Sequence, residues 1–356
     1  MRRLSLLTLV AVASLLLGTM ASARQSIDLG SSAFESYLEL LRQQTGIPAI
    51  SGALVQDGAI VWERGLGFAD LEARIRATPD TRYAVADLTQ MFSAVLLLQC
   101  VEQRHLSLDA PLGTYGVAVS DNGATLRQLL SHTSPVNAGS GFRYDLERYS
   151  RLTGIVEHCA PQLFRKSLAH RLLERLSMID SVPGRDLASA SVVPDELFHS
   201  ADLTRYARSL ERMAIPYKVD KRGRATRTQL AAEGINAASG LISTVRDLAR
   251  FDAELDSSLL LQGETLATAW SQAQLVDRPA APTGLGWFVQ HYKGTKVVWH
   301  FGVVPNGYSA LFVKVPARRA TMILLANGDG LAIPFQLEAG DVTRSPFASL
   351  FLRMLL

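Results

Sequence analysis

The stretch AISGALVQDGAIVWE, residues 49–63, decides the fold class of this chain. It contains two runs rich in apolar and β-branched residues, Ala49–Val55 and Ala59–Glu63, which Gln56-Asp57-Gly58 joins. Because an Asp-Gly pair favours a tight type I′ turn, the stretch predicts a β-hairpin near the start of the chain.

Three more strands are predicted near the other end of the chain. Gly, Pro and Asn residues separate the apolar runs Lys296–Phe301, Tyr308–Val315 and Ala320–Ala326. Between the two groups of strands, from Asp87 to about Arg278, the periodicity is mainly helical. Strands at both ends that enclose a helical middle predict an α+β fold, in which both ends of the chain build one antiparallel sheet.

Two terminal helices are expected to flank this sheet. Ser32-Ala33-Phe34-Glu35 has the pattern of a capping box that opens an amphipathic helix, and Phe347–Leu356 forms an apolar-faced segment at the end. We therefore predict one domain over residues 24–356. Its sheet region covers 24–86 and about 280–356, and its mainly helical region covers about 87–279.

The composition of the 356 residues is that of an ordinary globular protein, with 48% hydrophobic and 19% charged residues. It excludes disordered, collagen-like and coiled-coil proteins. Lys and Arg number 36 against 33 Asp and Glu. This balance has no basic surplus that would indicate a nucleic-acid partner.

The first residues have the pattern of a secretory signal. Met1-Arg2-Arg3 precede the apolar run Leu4–Leu17, and Ala21-Ser22-Ala23 supplies small residues for cleavage after Ala23. The apolar run is shorter than a membrane span, so we expect no span in the mature chain. The signal predicts an exported protein, either periplasmic or secreted.

The chain has two cysteines, Cys100 and Cys159. Cys100 lies in the apolar stretch Met91–Val101, which is typical of a buried thiol. Spacing alone cannot decide whether the two cysteines form a disulfide, so both possibilities stay open. The seven histidines show no metal-ligand spacing, and we expect neither a metal nor a cofactor.

Six further segments follow one another in a distinctive order. They are Gly65–Asp70, Thr81–Ala86, Leu129–Ser134, Ala238–Thr244, Asp247–Phe251 and Gly284–Trp287. In this order they resemble the serine β-lactamase-like superfamily, which includes class C β-lactamases, D-Ala-D-Ala carboxypeptidases (penicillin-binding proteins) and related esterases. The resemblance implies the same α+β fold and a site built for acyl transfer.

The catalytic pair of that superfamily is absent from the chain. The family motif S-x-x-K places a nucleophilic Ser and its Lys base on one helix face, one turn apart. Here Asp87-Leu88-Thr89-Gln90 stands at that position, so Asp87 replaces the Ser and Gln90 replaces the Lys. No Ser anywhere in the chain has a Lys three residues later.

The other two family motifs are partly retained. The Y-x-N motif reads Tyr144-Asp145-Leu146, so the Tyr is kept and the Asn is lost. The H-x-G form of the third motif is present as His300-Phe301-Gly302. The resemblance implies that the next residue, Val303, offers its backbone N–H to an oxyanion.

Asp87 has two competing interpretations. In the first, Asp87 is a helix N-cap and Gln90 is its N3 partner, an arrangement that stabilises a helix by about 1 kcal/mol. In the second, Asp87 is a carboxylate nucleophile that Tyr144 and His300 assist. Attack of Asp87 on an ester or amide would form a more reactive anhydride, and its charge would oppose a developing oxyanion.

The sequence therefore favours a pseudoenzyme hypothesis. The protein would be exported and inactive, and its remnant cleft would bind a cell-wall peptide, a small ester or amide, or an envelope protein partner. The alternative is an active esterase, β-lactamase or D-Ala-D-Ala carboxypeptidase with a non-standard nucleophile. A purely structural role in an envelope assembly is the third hypothesis. The family-equivalent site residues are Asp87, Gln90, Tyr144, His300 and Gly302.

Overall fold

The computed structural model describes residues 32–116, 123–133, 141–188, 198–275 and 279–356. The predicted signal segment, residues 1–23, lies outside them, so the signal and export stay predictions. The proposed division of residues 24–356 into a sheet region and a helical region also stays a prediction.

The described residues form twelve strands. Their bounds are β1 (Ala49–Gln56), β2 (Ala59–Asp70), β3 (Ile75–Arg76), β4 (Tyr83–Ala84), β5 (Val182–Pro183), β6 (Tyr217–Val219), β7 (Ala225–Arg227), β8 (Leu241–Ser243), β9 (Phe288–Tyr292), β10 (Thr295–Val304), β11 (Tyr308–Val315) and β12 (Ala320–Ala326). Seven of them build the central sheet in the order β3-β2-β1-β12-β11-β10-β9.

Strands β1 and β12 join the two ends of the chain within this sheet. They pair antiparallel, with Ile50 opposite Ala326 and Gln56 opposite Ala320. The other neighbouring pairs in the sheet are antiparallel as well. The predicted α+β class, with one antiparallel sheet built from both ends, is confirmed.

The turn between β1 and β2 has the predicted geometry. Its two central residues, Asp57 and Gly58, have φ values of 52° and 77°. A type I′ turn requires positive φ at both positions, which Asp tolerates and Gly adopts freely. The hairpin predicted from residues 49–63 is therefore confirmed.

The described helices lie on both faces of the sheet. Their bounds are α1 (32–45), α2 (Thr89–Glu102), α3 (Leu126–Leu130), α4 (Leu146–Ser150), α5 (Leu152–Cys159), α6 (Phe164–Leu168), α7 (Ser200–Glu211), α8 (Val245–Asp256), α9 (Gly263–Ala269) and α10 (Pro346–Leu355). A π-helical turn, Ala169–Glu174, continues α6.

The sheet is buried on both faces. Met322 and Leu324 of β12 share a cluster with Phe347 of α10, whereas Ile323 and Leu325 share one with the helical region. Successive side chains of a strand point to opposite faces, so a strand between two layers is apolar at every position. This explains the continuous apolar run Ala320–Ala326.

Helix α2 passes through the middle of the helical region. Every residue from Thr89 to Cys100 is buried. A helix that is apolar on all sides is buried in this way. The chain enters it through a 3₁₀ turn, Ala86–Leu88, which packs closely against β10.

Cys100 and Cys159 form a disulfide that ties the end of α2 to the end of α5. The two helices pack together and bring the Cα atoms within 6.3 Å, a separation that a disulfide spans without distortion. The interpretation of Cys100 as a buried free thiol is therefore wrong. Because the disulfide closes a long loop, it lowers the conformational entropy of the unfolded chain and stabilises the fold by about 4 kcal/mol.

Two details of the fold were not predicted. Strand β9 at the sheet edge follows a segment rich in Gly and Pro, which obscured its short apolar run. The small hairpin β6-β7 lies within the region from Asp87 to about Arg278, where the periodicity predicted mainly helices. Within the described part of the chain, no helix has the length and apolar character needed to cross a membrane.

Candidate functional site

Asp87 lies at the junction of the sheet and the helical region. It belongs to the turn Ala86–Leu88, and its side chain is only 1% exposed. Ala86, just before it, has a φ of 48°, which is strained for a residue with a side chain. Asp87 lines a cavity of about 210 Å³ together with Leu146 and Val303. The family-equivalent nucleophile position thus borders a small cleft.

The interpretation of Asp87 as a helix cap is wrong. The N-cap positions are Val85 for the turn and Leu88 for α2, and neither end has a side-chain cap. The extra 3₁₀ turn places Asp87 ahead of the first residue of α2, so its carboxylate does not reach the free N–H groups of that helix. Instead it accepts a 3.2 Å hydrogen bond from the hydroxyl of Tyr144.

Gln90 connects Tyr144 with His132. Its Nε2 donates to the Tyr144 hydroxyl at 3.0 Å, and its Oε1 lies 3.0 Å from His132 Nε2. The backbone N–H of Asp145 donates to His132 Nδ1 at 3.2 Å. Because Nδ1 accepts, the neutral imidazole carries its proton on Nε2 and donates to Gln90.

These contacts form one directional chain of hydrogen bonds, which we call the Asp87–His132 chain. It runs from His132 to Gln90, from Gln90 to Tyr144, and from Tyr144 to Asp87. Each member donates to the next, and the carboxylate at the end accepts. Gln90 holds the chain together but, as an amide, it cannot take a proton from a nucleophile.

Burial sets the protonation states of this chain. It raises the pKa of Asp87 to about 8, and the hydrogen bond from Tyr144 opposes this shift only in part. Burial also raises the pKa of Tyr144 well above its usual value, and the adjacent Asp87 adds to that shift. For His132, burial lowers the pKa to about 3. At neutral pH, Tyr144 and His132 are uncharged and Asp87 favours its protonated form.

His300 borders the Asp87–His132 chain without joining it. Its ring centroid lies 6.4 Å from that of Tyr144. Its Nδ1 donates to the carbonyl oxygen of Phe301 at 2.7 Å, and burial lowers its pKa to about 4. In the described part of the chain, no hydrogen bond links His300 to Asp87 or Tyr144.

Gly302 brings β10 close to the turn that carries Asp87. A Cβ atom at this position would lie 2.1 Å from the carbonyl oxygen of Val85 and 3.0 Å from the backbone nitrogen of Asp87. Only glycine permits such a close approach of two backbones. Gly302 is thus needed for the geometry of the site, whatever chemistry the site performs.

Thr89 is not an alternative nucleophile in the cleft. Its hydroxyl donates to the carbonyl oxygen of Ala86 at 2.6 Å and accepts from the N–H of Leu241 at 3.2 Å. Two positions along the helical turn, about 200°, separate Thr89 from Asp87, so the two side chains point in different directions.

The structure brings Asp87, Gln90 and Tyr144 into contact and places His300 and Gly302 beside them. His132 lies in the segment Leu129–Ser134, where a polar side chain can tie a loop to the backbone. It does accept from the N–H of Asp145, but it also holds Gln90. Other unpredicted neighbours are Tyr149, which stacks on His132, and the cleft residues Arg185, Glu233 and Ser239.

Ser239 lies in the family-like segment Ala238–Thr244, but no signal in the sequence marked Tyr149, Arg185 or Glu233, because they come from distant segments. Trp287, at the end of the segment Gly284–Trp287, is buried in the core against Trp270. Over the ranges that the structure describes, no group of three or more His, Cys, Asp or Glu is placed to hold a metal ion.

Comparison with known proteins gives a family match over most of the chain. Residues 34–340 match the family model described as Beta-lactamase. A D-aminopeptidase from Brucella ovis is 29% identical over 159 residues, which is 45% of this chain and 28% of that protein. The mitochondrial serine beta-lactamase-like protein LACTB of Mus musculus is 34% identical over 119 residues, which is 30% of this chain and 21% of that protein. The matched region thus spans less than a third of each relative.

Solved structures show the same fold at low sequence identity. A penicillin-binding protein homologue from Pyrococcus abyssi has a TM-score of 0.72 at 21% identity, covering 90% of this chain and 77% of that one. A D-amino acid amidase from Ochrobactrum anthropi, solved with D-phenylalanine, has a TM-score of 0.67 at 18% identity, covering 90% and 99%. Fold, motif order and family model agree: the chain belongs to the β-lactamase family.

Proposed function

We propose that this protein is an exported, catalytically inactive member of the β-lactamase family that binds a peptide or a small amide or ester in the cleft beside Asp87. The observation that carries the proposal is the position of Gln90. Its amide stands where the family has its lysine base, and both ends of the amide are hydrogen-bonded, to Tyr144 and to His132. Nothing at this position can accept the proton of a nucleophile.

The properties of Asp87 argue against its use as a substitute nucleophile. A carboxyl group whose pKa burial raises to about 8 is mostly protonated, and thus a poor nucleophile, at neutral pH. Ionised, it would repel the oxyanion that forms during acyl transfer. His300, the second proposed assistant, directs its Nδ1 to a backbone carbonyl rather than to Asp87.

The similar proteins support an amino-acid or peptide ligand. One relative is named a D-aminopeptidase, and one structural neighbour is a D-amino acid amidase that was solved with D-phenylalanine. The cavity of about 210 Å³ is below the 300–1,000 Å³ typical of sites for drug-sized ligands. The ligand, or the part of it that enters, is therefore small.

Two independent features support export. The N-terminal residues have the pattern of a secretory signal, and Cys100 is bonded to Cys159. Disulfides persist mainly in oxidising compartments such as the periplasm and the extracellular space. An envelope protein is therefore a further candidate partner.

Acylation assays test the proposal directly. The purified mature chain is incubated with a fluorescent penicillin and with a chromogenic ester, beside the variants Asp87→Ala and Ser239→Ala. We expect no covalent label and no turnover above that of the variants. Labelling or turnover that disappears in Asp87→Ala would support the active-hydrolase alternative, and loss in Ser239→Ala would identify the cleft serine as the nucleophile.

A gain-of-function variant asks whether only the catalytic pair has been lost. Asp87→Ser with Gln90→Lys restores the S-x-x-K pattern beside Tyr144. We expect the double variant to be labelled by the penicillin, and Asp87→Ser alone to remain unlabelled. An unlabelled double variant would mean that the cleft has diverged beyond the two positions, as the Leu146 replacement already indicates.

A further inference from the structure

We infer that the cleft binds the ammonium group of a small apolar primary amine, such as a free amino terminus, on the carboxylate of Asp87. The inference rests on the proposed function, since it names the ligand class of the same non-catalytic cleft. It assigns Asp87 a binding role that neither the cap nor the nucleophile interpretation contains.

The carboxyl group of Asp87 has no cationic partner among the described residues. Asp87 is buried, yet it lines the cleft, and no ion pair joins it to a lysine or arginine among the described residues. Its carboxylate accepts one hydrogen bond within the described ranges, from Tyr144. Where the family motif has a lysine one turn later, Gln90 provides no charge. A ligand ammonium would supply the absent positive charge and up to three hydrogen-bond donors.

Apolar side chains line the cleft next to Asp87. Leu146, which stands where the family motif has Asn, borders the cleft together with Val303 and Val304. Leu230 and Pro305 complete this apolar side. An apolar group attached to the amine would bury against these side chains. A fully polar cation would gain nothing from them.

The remaining charged groups around Asp87 do not replace the ligand. Arg185 and Glu233 line the same cleft and bear opposite charges, and an Arg185 Nη donates to the carbonyl oxygen of Leu230 at 3.4 Å. Strands β10, β11 and β8 and helix α2 pack against the turn. Glu102 lies at the end of α2 away from the turn, Lys296 lies near the start of β10, and Lys314 of β11 bonds Asp252 and Asp256. The titratable groups closest to Gly302 in the strand register are His300 of β10 and Tyr308 of β11, and Tyr144 bonds Asp87 directly.

These neighbouring groups keep one protonation state near neutral pH. Burial lowers the pKa of His300 to about 4 and raises the pKa values of Tyr144 and Tyr308 well above neutrality. His132, which reaches Asp87 only through Gln90 and Tyr144, has a pKa of about 3. A change in affinity between about pH 6 and pH 8 would therefore report on Asp87.

The proton balance of binding follows from these states. The amine enters as an ammonium ion and keeps its proton, while the Asp87 carboxyl releases its own proton to solvent and forms the ion pair. One proton is thus released for each ligand bound at pH values well below the pKa of Asp87, about 8, and half a proton at the pKa itself. Linkage then requires the affinity for the amine to rise about tenfold per pH unit in that range.

Calorimetry with phenethylamine tests the inference on the unmodified protein. The matched control ligand is 2-phenylethanol, which has the same body but a hydroxyl in place of the ammonium. At about pH 8 we expect the amine to bind at least about tenfold more tightly than the alcohol. As the pH rises from about 6 to about 8, the affinity for the amine should increase. Binding of the amine should also release a proton from the protein, so that the measured heat depends on the ionisation enthalpy of the buffer. Binding of the alcohol should show neither effect.

Three variants show which residue causes the effect. Asp87→Asn should remove both the preference for the amine and its pH dependence, whereas Asp109→Asn, an exposed aspartate outside the cleft, should change neither. Tyr144→Phe keeps the carboxylate but removes its hydrogen-bond donor. It should retain amine binding and move the pH dependence to higher pH.

The inference is overturned if phenethylamine and butylamine both bind no better than the matching alcohols, if amine affinity is independent of pH, or if Asp87→Asn binds the amine as tightly as the wild type. Failure of the proposed function looks different, because it appears as acylation by penicillin or turnover of the ester. A protein that shows neither acylation nor amine preference contradicts only the present inference.

Discussion

Asp87 and Asp252 are both buried aspartates that lie against the helical face of the central sheet, but their surroundings differ. Asp252 of α8 accepts hydrogen bonds from Lys314 Nζ at 2.9 Å and from the Thr321 hydroxyl at 2.9 Å. Lys314 is itself fully buried and also bonds Asp256 at 3.0 Å. Asp87 has a hydrogen bond from neutral Tyr144 instead of a cation.

The two sites differ in whether a cation compensates the buried carboxyl group. At Asp252, far from the cleft, a lysine compensates the carboxylate, as a structural role requires. At Asp87 the compensating lysine of the family is absent, and the residue lines a cavity. A buried carboxyl that is left uncompensated at a cleft is typical of a functional site.

The largest effect is expected at the compensated site. Lys314→Met removes the cation and leaves Asp252 charged and buried, which should lower the free energy of unfolding by about 3–5 kcal/mol. Urea denaturation near pH 7 measures it. The double variant Lys314→Met with Asp252→Asn should recover part of the loss, and a single-variant loss below about 1 kcal/mol would mean that Asp252 needs no cation.

Asp87→Asn should have the opposite effect: the variant should be more stable than the wild type, by a difference that grows as the pH rises. In the wild type, burial raises the pKa of Asp87 to about 8, so above the unfolded-state pKa near 4 the unfolded chain is ionised while the folded chain keeps its proton. Each pH unit between these values costs the wild type about 1.4 kcal/mol, and the asparagine variant escapes this cost. The stability difference should therefore grow by about 2–3 kcal/mol from about pH 5 to pH 7.

Urea denaturation of both proteins at the two pH values measures this growth. A constant difference would show that Asp87 has an ordinary pKa when folded. A variant less stable than the wild type throughout would show that the Asp87 carboxyl group stabilises the fold in a way that an amide cannot replace.

Tyr144→Phe removes the hydrogen bond that Asp87 accepts and should cost about 1–2 kcal/mol. It should also raise the pKa of Asp87 further, because that hydrogen bond opposes the effect of burial. The pH range over which the protein loses stability would then extend upward. Tyr149→Phe is a matched control. The buried hydroxyl of Tyr149 donates to the backbone carbonyl oxygen of Gln90 at 3.1 Å, and the loss of this hydroxyl should leave the pH profile unchanged.

The smallest effect is expected where an aspartate is exposed. The Asp109 side chain is 68% exposed and pairs with Arg127 at 2.6 Å. Asp109→Asn should change the free energy of unfolding by less than about 1 kcal/mol near pH 7, because solvent screens such pairs. A loss comparable to that of Lys314→Met would show that removal of a charge, rather than its burial, dominates these measurements.

Local patterns in the sequence are sufficient to predict the architecture. The Asp57-Gly58 turn, the apolar runs that became β10, β11 and β12, and the terminal helices all depend on local patterns, which a reading of neighbouring residues detects. The replacement of Ser and Lys by Asp87 and Gln90 is likewise visible without a structure, because it occurs at a fixed spacing within one motif.

The roles of Asp87 and of the two cysteines, in contrast, depend on contacts between distant segments. Asp87 meets Tyr144 across 57 positions of sequence, Gln90 meets His132 across 42, and Cys100 is bonded to Cys159 across 59. Such contacts depend on how helices and strands pack, which local patterns do not encode. The same packing buries Asp87 and places it beside Tyr144 rather than at the end of a helix. Burial raises the pKa of Asp87, which has no cation beside it, whereas Asp252 forms an ion pair with Lys314.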